Sequence, residues 1–294
     1  MASIDTSGIT GAGLKVVLDT AGGAAALVLP TLLGRLDIDV LTVNNRLDET
    51  ASTETLSEHM RDLERLGELV SSSRAAFGVR FDSLGERIAI VDERGELIEH
   101  DRALLVLLDL VAAERRRGRI ALPVTTTRVA ERVTRFHGVA IEWTSTSPDD
   151  LARACRGPDV IFGGDGRGGF VVPEFSAAID GVAAFVRLAG VVARTQLTLS
   201  RIDERIPQAH VVRRSVPTPW AVKGLVMRSV LEAAGDAHVD TTDGVRVVDD
   251  EDGWVLVLPD PTQAVTHLWA EGPGRAGSTV LLEHWARVVE DAGR

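Results

Sequence analysis

Short β-prone runs and longer helical stretches alternate along the whole chain, and that alternation leaves few folds open. Lys15-Val-Val-Leu18 is a β run ending at Asp19, Gly22-Gly23 turns the chain, and Ala24 to Leu36 has helical composition, with Pro30 limiting its first turns. Asp39 to Val43 reads as the next strand. Thr53 to Leu66 carries Leu56, Met60, Leu63 and Leu66 at three- and four-residue spacing, an amphipathic helix opened by a weak capping-box pattern at Ser52 and Thr53-Glu54. Strands follow at Ala76–Phe81 and Arg87–Val91, and Asp92-Glu-Arg-Gly95 turns into an apolar helix after Asp101.

Arg115-Arg-Arg-Gly118 reads as a solvated boundary, after which the alternation restarts. Strands are expected at Ile120–Val124, Val139–Trp143 and Asp159–Phe162, with helices at Thr127–Phe136 and about Asp180–Arg194. Beyond Pro207 the pattern changes to a strand at His210–Arg214, a helix at Trp220–Ala234, strands at Val245–Val248, Trp254–Leu258 and Val265–Ala270, and a helix near Ser278–Glu290. The expected architecture is therefore two α/β domains, 1–116 and 117–207. An α+β domain, 208–294, with antiparallel strands packed on two helices completes it.

The 294 residues carry 32 Lys+Arg against 43 Asp+Glu, a net charge of −11, which argues against a general nucleic-acid or anionic-membrane surface. Only Lys15 and Lys223 are lysines, so any phosphate clamp has to be built from arginine or backbone N–H groups. Cys155 is the single cysteine; an intrachain disulfide and a cysteine-based zinc site are excluded, and a reducing cytoplasm is expected. The longest apolar stretch, Ala103 to Ala113, is cut by Asp109 and reads as a buried helix. Met1-Ala-Ser-Ile-Asp-Thr6 has neither a basic n-region nor an apolar h-region, so no secretory signal is expected.

No single motif settles the chemistry. Gly164-x-Gly166-x-x-Gly169 formally matches the dinucleotide fingerprint, yet Phe170-Val-Val-Pro173 follows it where that fingerprint requires a helix. A plain glycine turn, or a loop that lets a ligand approach the backbone, remains. In Asp82-Ser-Leu-Gly-Glu86-Arg87 the two carboxylates could hold a hard cation, or Asp82 could cap a solvated turn. The seven histidines show no metal-ligand spacing, Gly-x-Ser-x-Gly does not occur, and Cys155 reads as structural.

Order and local residues together resemble the α-D-phosphohexomutase superfamily, which contains phosphomannomutase and phosphoglucomutase. Lys15-Val-Val-Leu-Asp19 with Gly22 is similar to the first strand of that family's second domain. Ala75-Ala-Phe-Gly-Val-Arg-Phe-Asp82-Ser-Leu-Gly-Glu-Arg87 with Val91-Asp-Glu-Arg-Gly-Glu-Leu97 is similar to its metal loop and following hairpin. Gly163-Gly-Asp-Gly-Arg-Gly-Gly169 is similar to the sugar-recognition loop of the third domain, and Leu258-Pro-Asp-Pro-Thr-Gln-Ala264 to the phosphate loop of the fourth. The resemblance implies domains 2 to 4 of that fold. It also implies that Asp82 and Glu86 are what remains of an Mg²⁺ loop whose second aspartate is replaced by Leu84. With that ligand set incomplete, no cofactor is expected.

In the sugar loop Asp165 shortens the family's glutamate and Arg167 replaces its serine. In the phosphate loop an arginine becomes Leu258, a serine becomes Asp260, a glycine becomes Pro261, and the downstream arginine becomes His267. Asp260 would repel a phosphate placed beside it, by about 4 kcal/mol at roughly 4 Å and an effective dielectric near 20. The resemblance thus leaves Arg87, Asp165, Arg167, Thr262 and His267 as candidate sugar-phosphate contacts. The family's phosphate-carrying serine sits in a Thr-x-Ser-His-Asn-Pro type loop that does not occur in this sequence, so the chain alone is expected to be inactive as an intramolecular phosphotransferase.

The resemblance is nearest to the mutase-like tail that actinobacterial proteins carry behind a sugar-1-phosphate nucleotidyltransferase of the mannose-1-phosphate guanylyltransferase kind. A degenerate, non-catalytic module of regulation, assembly or sugar-phosphate binding is the first expectation, partnered by an upstream or separate nucleotidyltransferase domain. Sugar phosphate and a second copy of the chain are possible partners; nucleic acid and membrane are not. The alternative is part of an active mutase completed by a separate serine-loop domain. A third reading is a small-ligand module with a cleft near Arg80, Arg87 and Arg167.

Overall fold

The computed structural model describes residues 6, 8–48, 54–195, 197–249 and 253–293, and the architecture is mixed α/β followed by α+β. Its residues gather into two compact units. The first holds the chain up to Leu122 with Glu131–Glu142 and Leu151–Ile206; the second holds Pro123–Ala130, Trp143–Asp150 and the chain from Pro207.

The chain opens with β1 (Lys15–Asp19), α1 (Ala25–Leu33), β2 (Asp39–Val43), α2 (Leu56–Ser73), β3 (Phe77–Phe81), β4 (Ile88–Val91), β5 (Leu97–Ile98) and α3 (His100–Arg115). The sheet order is β2-β1-β3-β4-β5, with β1 parallel to β2 and β3, and β4 and β5 antiparallel. Helix α2 is capped by Thr55, whose hydroxyl accepts from the Glu58 N–H while the Glu58 carboxylate takes the Thr55 N–H, so the capping box lies at Thr55 rather than earlier. Ser52 and Thr53 lie outside the described residues. Its apolar stripe, Leu66 and Val70, packs with Val17, Ala75 and Val91. Gly67 lets the helix touch the Gly95 turn, where a Cβ would lie 2.2 Å from the Gly95 carbonyl oxygen.

A second sheet, in the order β7-β6-β8-β9, is formed by β6 (Arg119–Pro123), β7 (Ala140–Thr144), β8 (Val160–Gly164) and β9 (Phe170–Val171). Helices α4 (Val129–Phe136), α5 (Pro148–Ala154), α6 (Gly181–Thr195) and α7 (Leu199–Arg205) accompany it. Helices α3 and α6 are apolar nearly all round because each touches both sheets: α3 meets β4 and β8, and α6 meets β4 and β9. Phe185 of α6 sets its ring 6.4 Å from Phe77 and 6.3 Å from Phe81. Among the described residues no single helix is long and apolar enough to cross a membrane.

The second unit is built on an antiparallel sheet in the order β10-β14-β13-β12-β11. It comprises β10 (Val212–Pro217), α8 (Lys223–Ala234), β11 (His238–Asp240), β12 (Val245–Asp249), β13 (Gly253–Pro259), β14 (Val265–Glu271) and α9 (Gly274–Ala292). Val226 and Val230 of α8 and Leu282, Trp285 and Val289 of α9 cover one face, over Val247, Val255, Val257 and Leu268. On the other face the buried Trp254 packs with Val124 and Leu256. The indole of Trp254 donates to Glu271 at 2.7 Å, and the same buried carboxylate takes the Thr127 hydroxyl at 2.5 Å and the Arg128 N–H at 2.9 Å.

Candidate functional site

Three loops that the sequence singled out close on themselves in one manner, an aspartate folding back to accept N–H groups of its own turn. In the first unit, Asp82 directly follows β3, and its Oδ1 accepts the N–H of Glu86 at 2.8 Å and of Arg87 at 3.1 Å. Of the alternatives for this loop, capping is what the geometry displays. Leu84, at the tip, is 67% exposed, and among the described residues no three His, Cys, Asp or Glu side chains are grouped to hold a metal ion.

The glycine loop lies beside it. Ile88 donates its N–H to the Gly168 carbonyl at 2.9 Å, and Arg87 bridges to Gly169. The largely buried Asp165 carboxylate accepts the N–H groups of Arg167 at 2.8 Å and Gly169 at 3.0 Å through Oδ1, and Arg87 Nη1 at 2.6 Å through Oδ2. Arg87 Nη1 also donates to the Arg167 carbonyl at 3.2 Å, while the Arg167 side chain stays mostly in solvent with its Nε 3.8 Å from Asp165. Arg87, Asp165 and Arg167 are thus brought together, but Asp165 faces its own loop. The glycines have packing reasons. Gly166 and Gly168 take φ of +67° and +82°, and a Cβ on Gly168 would lie 2.6 Å from the Ile88 carbonyl oxygen. His100, which the sequence gave no reason to choose, lies 3.3 Å from that Cβ position, and burial lowers its imidazole pKa.

Arg80 is not open to a ligand. It is 3% exposed and donates to Asp19 and Glu54, and to Asp62 at 3.0 Å. Asp19, at the carboxyl end of β1, also accepts the Ala21 N–H at 2.8 Å and Asn44 Nδ2 at 2.9 Å. The small-ligand reading placed Arg80 at a cleft; three carboxylates instead enclose it in the structure.

The second unit carries the remaining candidates in the hairpin loop between β13 and β14. Leu258 pairs with His267 and Pro259 with Thr266, and the Asp260 N–H donates to the Val265 carbonyl at 3.0 Å. This register brings Asp260 under four donors. Its Oδ1 accepts the Thr262 N–H at 2.7 Å, the Thr262 hydroxyl at 2.9 Å and the Gln263 N–H at 2.7 Å, and Oδ2 meets His267 Nε2 at 2.9 Å. The His267 contact, followed by the Thr262 bonds, holds the Asp260 carboxyl well below the usual carboxylate range. Nδ1 of His267 meets the Ser215 hydroxyl at 2.8 Å. Lys223 braces the loop, its ammonium donating to the carbonyls of Asp260 and Gln263 and lying 3.6 Å from the Trp220 ring centre. The sequence reading treated Asp260 as a charge opposing phosphate; the carboxylate itself takes the donors that an external anion would need.

Comparison with known proteins bears on both units. Residues 1–95 match the family "Phosphoglucomutase/phosphomannomutase, alpha/beta/alpha domain II", and residues 99–210 match its alpha/beta/alpha domain III. The chain belongs to the phosphohexomutase superfamily. A Methanopyrus kandleri protein named "Probable phosphoglucosamine mutase" is 28% identical over 291 residues, covering 97% of this chain and 64% of its own length. A phosphoglucomutase/phosphomannomutase of Thermococcus kodakarensis is 26% identical over 278 residues, covering 94% of the chain and 61% of its own length. The crystal structure of a phosphoglucomutase/phosphomannomutase family protein from Burkholderia thailandensis superposes with a TM-score of 0.79 at 22% identity, over 95% of this chain and 61% of that one. This phosphohexomutase-type chain therefore spans less than two thirds of these relatives. Within it, Arg87, Asp165 and Arg167 form one cluster in the first unit, and Thr262 and His267 another in the second.

Proposed function

We propose that this chain is a phosphohexomutase-like module that does not itself carry out phosphoryl exchange, and that it serves a sugar-nucleotide pathway of the GDP-mannose kind in the cytoplasm. On this reading, with domains 1–116, 117–207 and 208–294, it works as a regulatory or assembly part of a nucleotidyltransferase, fused to it or bound. The observation that carries the proposal is the Asp260 loop. A phosphate entering there would have to displace a carboxylate from two backbone N–H groups, one hydroxyl and His267. The loop offers it no arginine. Charge-assisted bonds of this kind are worth roughly 1.5–3 kcal/mol each, and an internal acceptor competes at no cost in translational entropy. Asp82 and Asp165 turn the other two loops inward in the same way.

A second reading is favoured by the names of the relatives, which are mutases over nearly the whole of this chain. In it the module completes an active phosphohexomutase whose serine-loop domain is contributed separately. Phosphorus NMR of the chain incubated with glucosamine, mannose or glucose 6-phosphate and a hexose 1,6-bisphosphate tests the two. No isomerisation is expected, either alone or with an added serine-loop domain from a family member. Turnover in the mixture would establish the second reading, and turnover by the chain alone would overturn both.

A further inference from the structure

The tip of the Asp82–Arg87 loop belongs to a different surface from the one its resemblance suggests. Leu84, which stands where the family's metal loop has an aspartate, lines an apolar groove of about 440 Å³ together with Val28 of α1, Phe175, and Val186 of α6. That volume lies in the range of ligand and peptide-anchor pockets. Helix α1 reads Ala-Ala-Leu-Val-Leu-Pro-Thr-Leu-Leu, without one charged residue, a composition that belongs to a helix covered on all sides. Yet only Ala25, Ala26 and Leu29 are buried, and Leu27 and Val28 are 65% and 53% exposed. By contrast α2, on the same sheet, turns Glu58, Arg61, Glu64, Arg65 and Glu68 to its outer side.

The groove is preformed. The Ser83 carbonyl accepts the Ala24 N–H at 2.9 Å and the Gly85 carbonyl accepts the Gly181 N–H at 3.0 Å, so the loop is tied to the starts of both α1 and α6. A Cβ on Gly23 would lie 2.4 Å from the Ser83 carbonyl oxygen, which leaves no slack. Among the described residues, the charged groups on its rim are two carboxylates, Glu86 and Asp180, and none of those lining it is cationic. A second copy of this face would bring the same carboxylates against them, so self-pairing is disfavoured.

We propose that this groove docks an apolar segment of another polypeptide that carries a lysine or arginine beside its apolar side chains, with Val28, Leu84 and Phe175 receiving the apolar part and Glu86 and Asp180 the charge. The proposal stands apart from the sugar-phosphate reading, since it concerns neither Asp165 nor Asp260.

A labelled amphipathic peptide of leucine and lysine, with a leucine–glutamate counterpart, provides the test by fluorescence anisotropy. The leucine–lysine peptide should bind and its counterpart should not. Val28→Glu and Leu84→Glu should each weaken binding roughly tenfold or more, as expected for apolar anchors. Both variants make the chain more negative, so general attraction of a basic peptide to an acidic protein would strengthen instead. Both positions are exposed, and Glu86→Gln, a milder change on the rim, should weaken binding and reduce its salt dependence. Unchanged affinity in the two glutamate variants, or equal binding of the leucine–glutamate peptide, would overturn the proposal. So would a wild-type dimer in light scattering that the same variants dissociate, since the occupant would then be a second copy.

Discussion

Replacing Arg80 by leucine tests whether the buried cluster at the strand ends is structural or available to a ligand. The guanidinium bridges Asp19, Glu54 and Asp62, whose side chains are 3%, 34% and 39% exposed. Without Arg80, Glu54 and Asp62 regain water, so little of the cost arises from them. Asp19 cannot, and among the described residues it keeps the Ala21 N–H and Asn44 Nδ2 as donors. Removing one partner of a buried pair costs about 3–5 kcal/mol, and the two remaining donors put the expected loss near the lower end. An exposed pair would cost about 0–1 kcal/mol. All five tryptophans, Trp143, Trp220, Trp254, Trp269 and Trp285, belong to the second unit, so urea unfolding has to be followed by far-UV circular dichroism. Combined with Asp19→Asn, Arg80→Leu should show a coupling of roughly 1–3 kcal/mol. A loss below about 1 kcal/mol for Arg80→Leu would refute the structural assignment and return Arg80 to the list of ligand contacts.

Three further expectations follow from packing and charge. Gly67→Ala would stabilise an isolated helix by about 1 kcal/mol, but its Cβ would meet the Gly95 carbonyl oxygen at 2.2 Å, so we expect a loss of about 1–3 kcal/mol in chemical denaturation; a gain would contradict the contact. Burial pushes the Cys155 thiol up to about 12, so it should resist a disulfide reagent at neutral pH in the folded protein and react fully in denaturant; rapid native reaction would contradict this. Asp260 has a depressed folded pKa, so its contribution to stability is present above its unfolded value, roughly 3.9, and is lost as pH falls below it. The difference in Tm between wild type and Asp260→Asn should therefore shrink on acidification below about pH 4, and a difference that grows would have the wrong sign.

The periodic parts of this fold were legible because they depend on local pattern. Asp39–Val43 is a strand where the sequence placed it, and the change from mixed sheets to a fully antiparallel one after Pro207 followed from the order of strands and helices. The shortest elements were not legible: α7 has seven residues and β11 three, too few for a period to register. Helix α2 runs to Ser73, past the expected Leu66, because Val70 carries its buried stripe one turn further, and Arg74 closes it in a left-handed conformation. Within the candidate site, Arg87 and Asp165 are 78 residues apart and Asp19 and Arg80 are 61 apart, so their pairing is set by topology rather than by any local signal. The Asp260 turn is different. Asp-Pro-Thr-Gln is a self-capping sequence by its chemistry, and only comparison with a phosphate loop made its aspartate look misplaced.

The most direct measurement is calorimetric titration of the chain with mannose 1-phosphate, glucose 6-phosphate and glucosamine 6-phosphate, beside the same titrations of Asp260→Ser combined with Pro261→Gly. If Asp260 already occupies the donors of its loop, wild type should bind none of the three more tightly than about 100 µM, and the double variant should gain affinity for at least one. Wild-type binding well below that concentration, undiminished at acid or neutral pH and unaffected by the double substitution, would contradict the account of the loop.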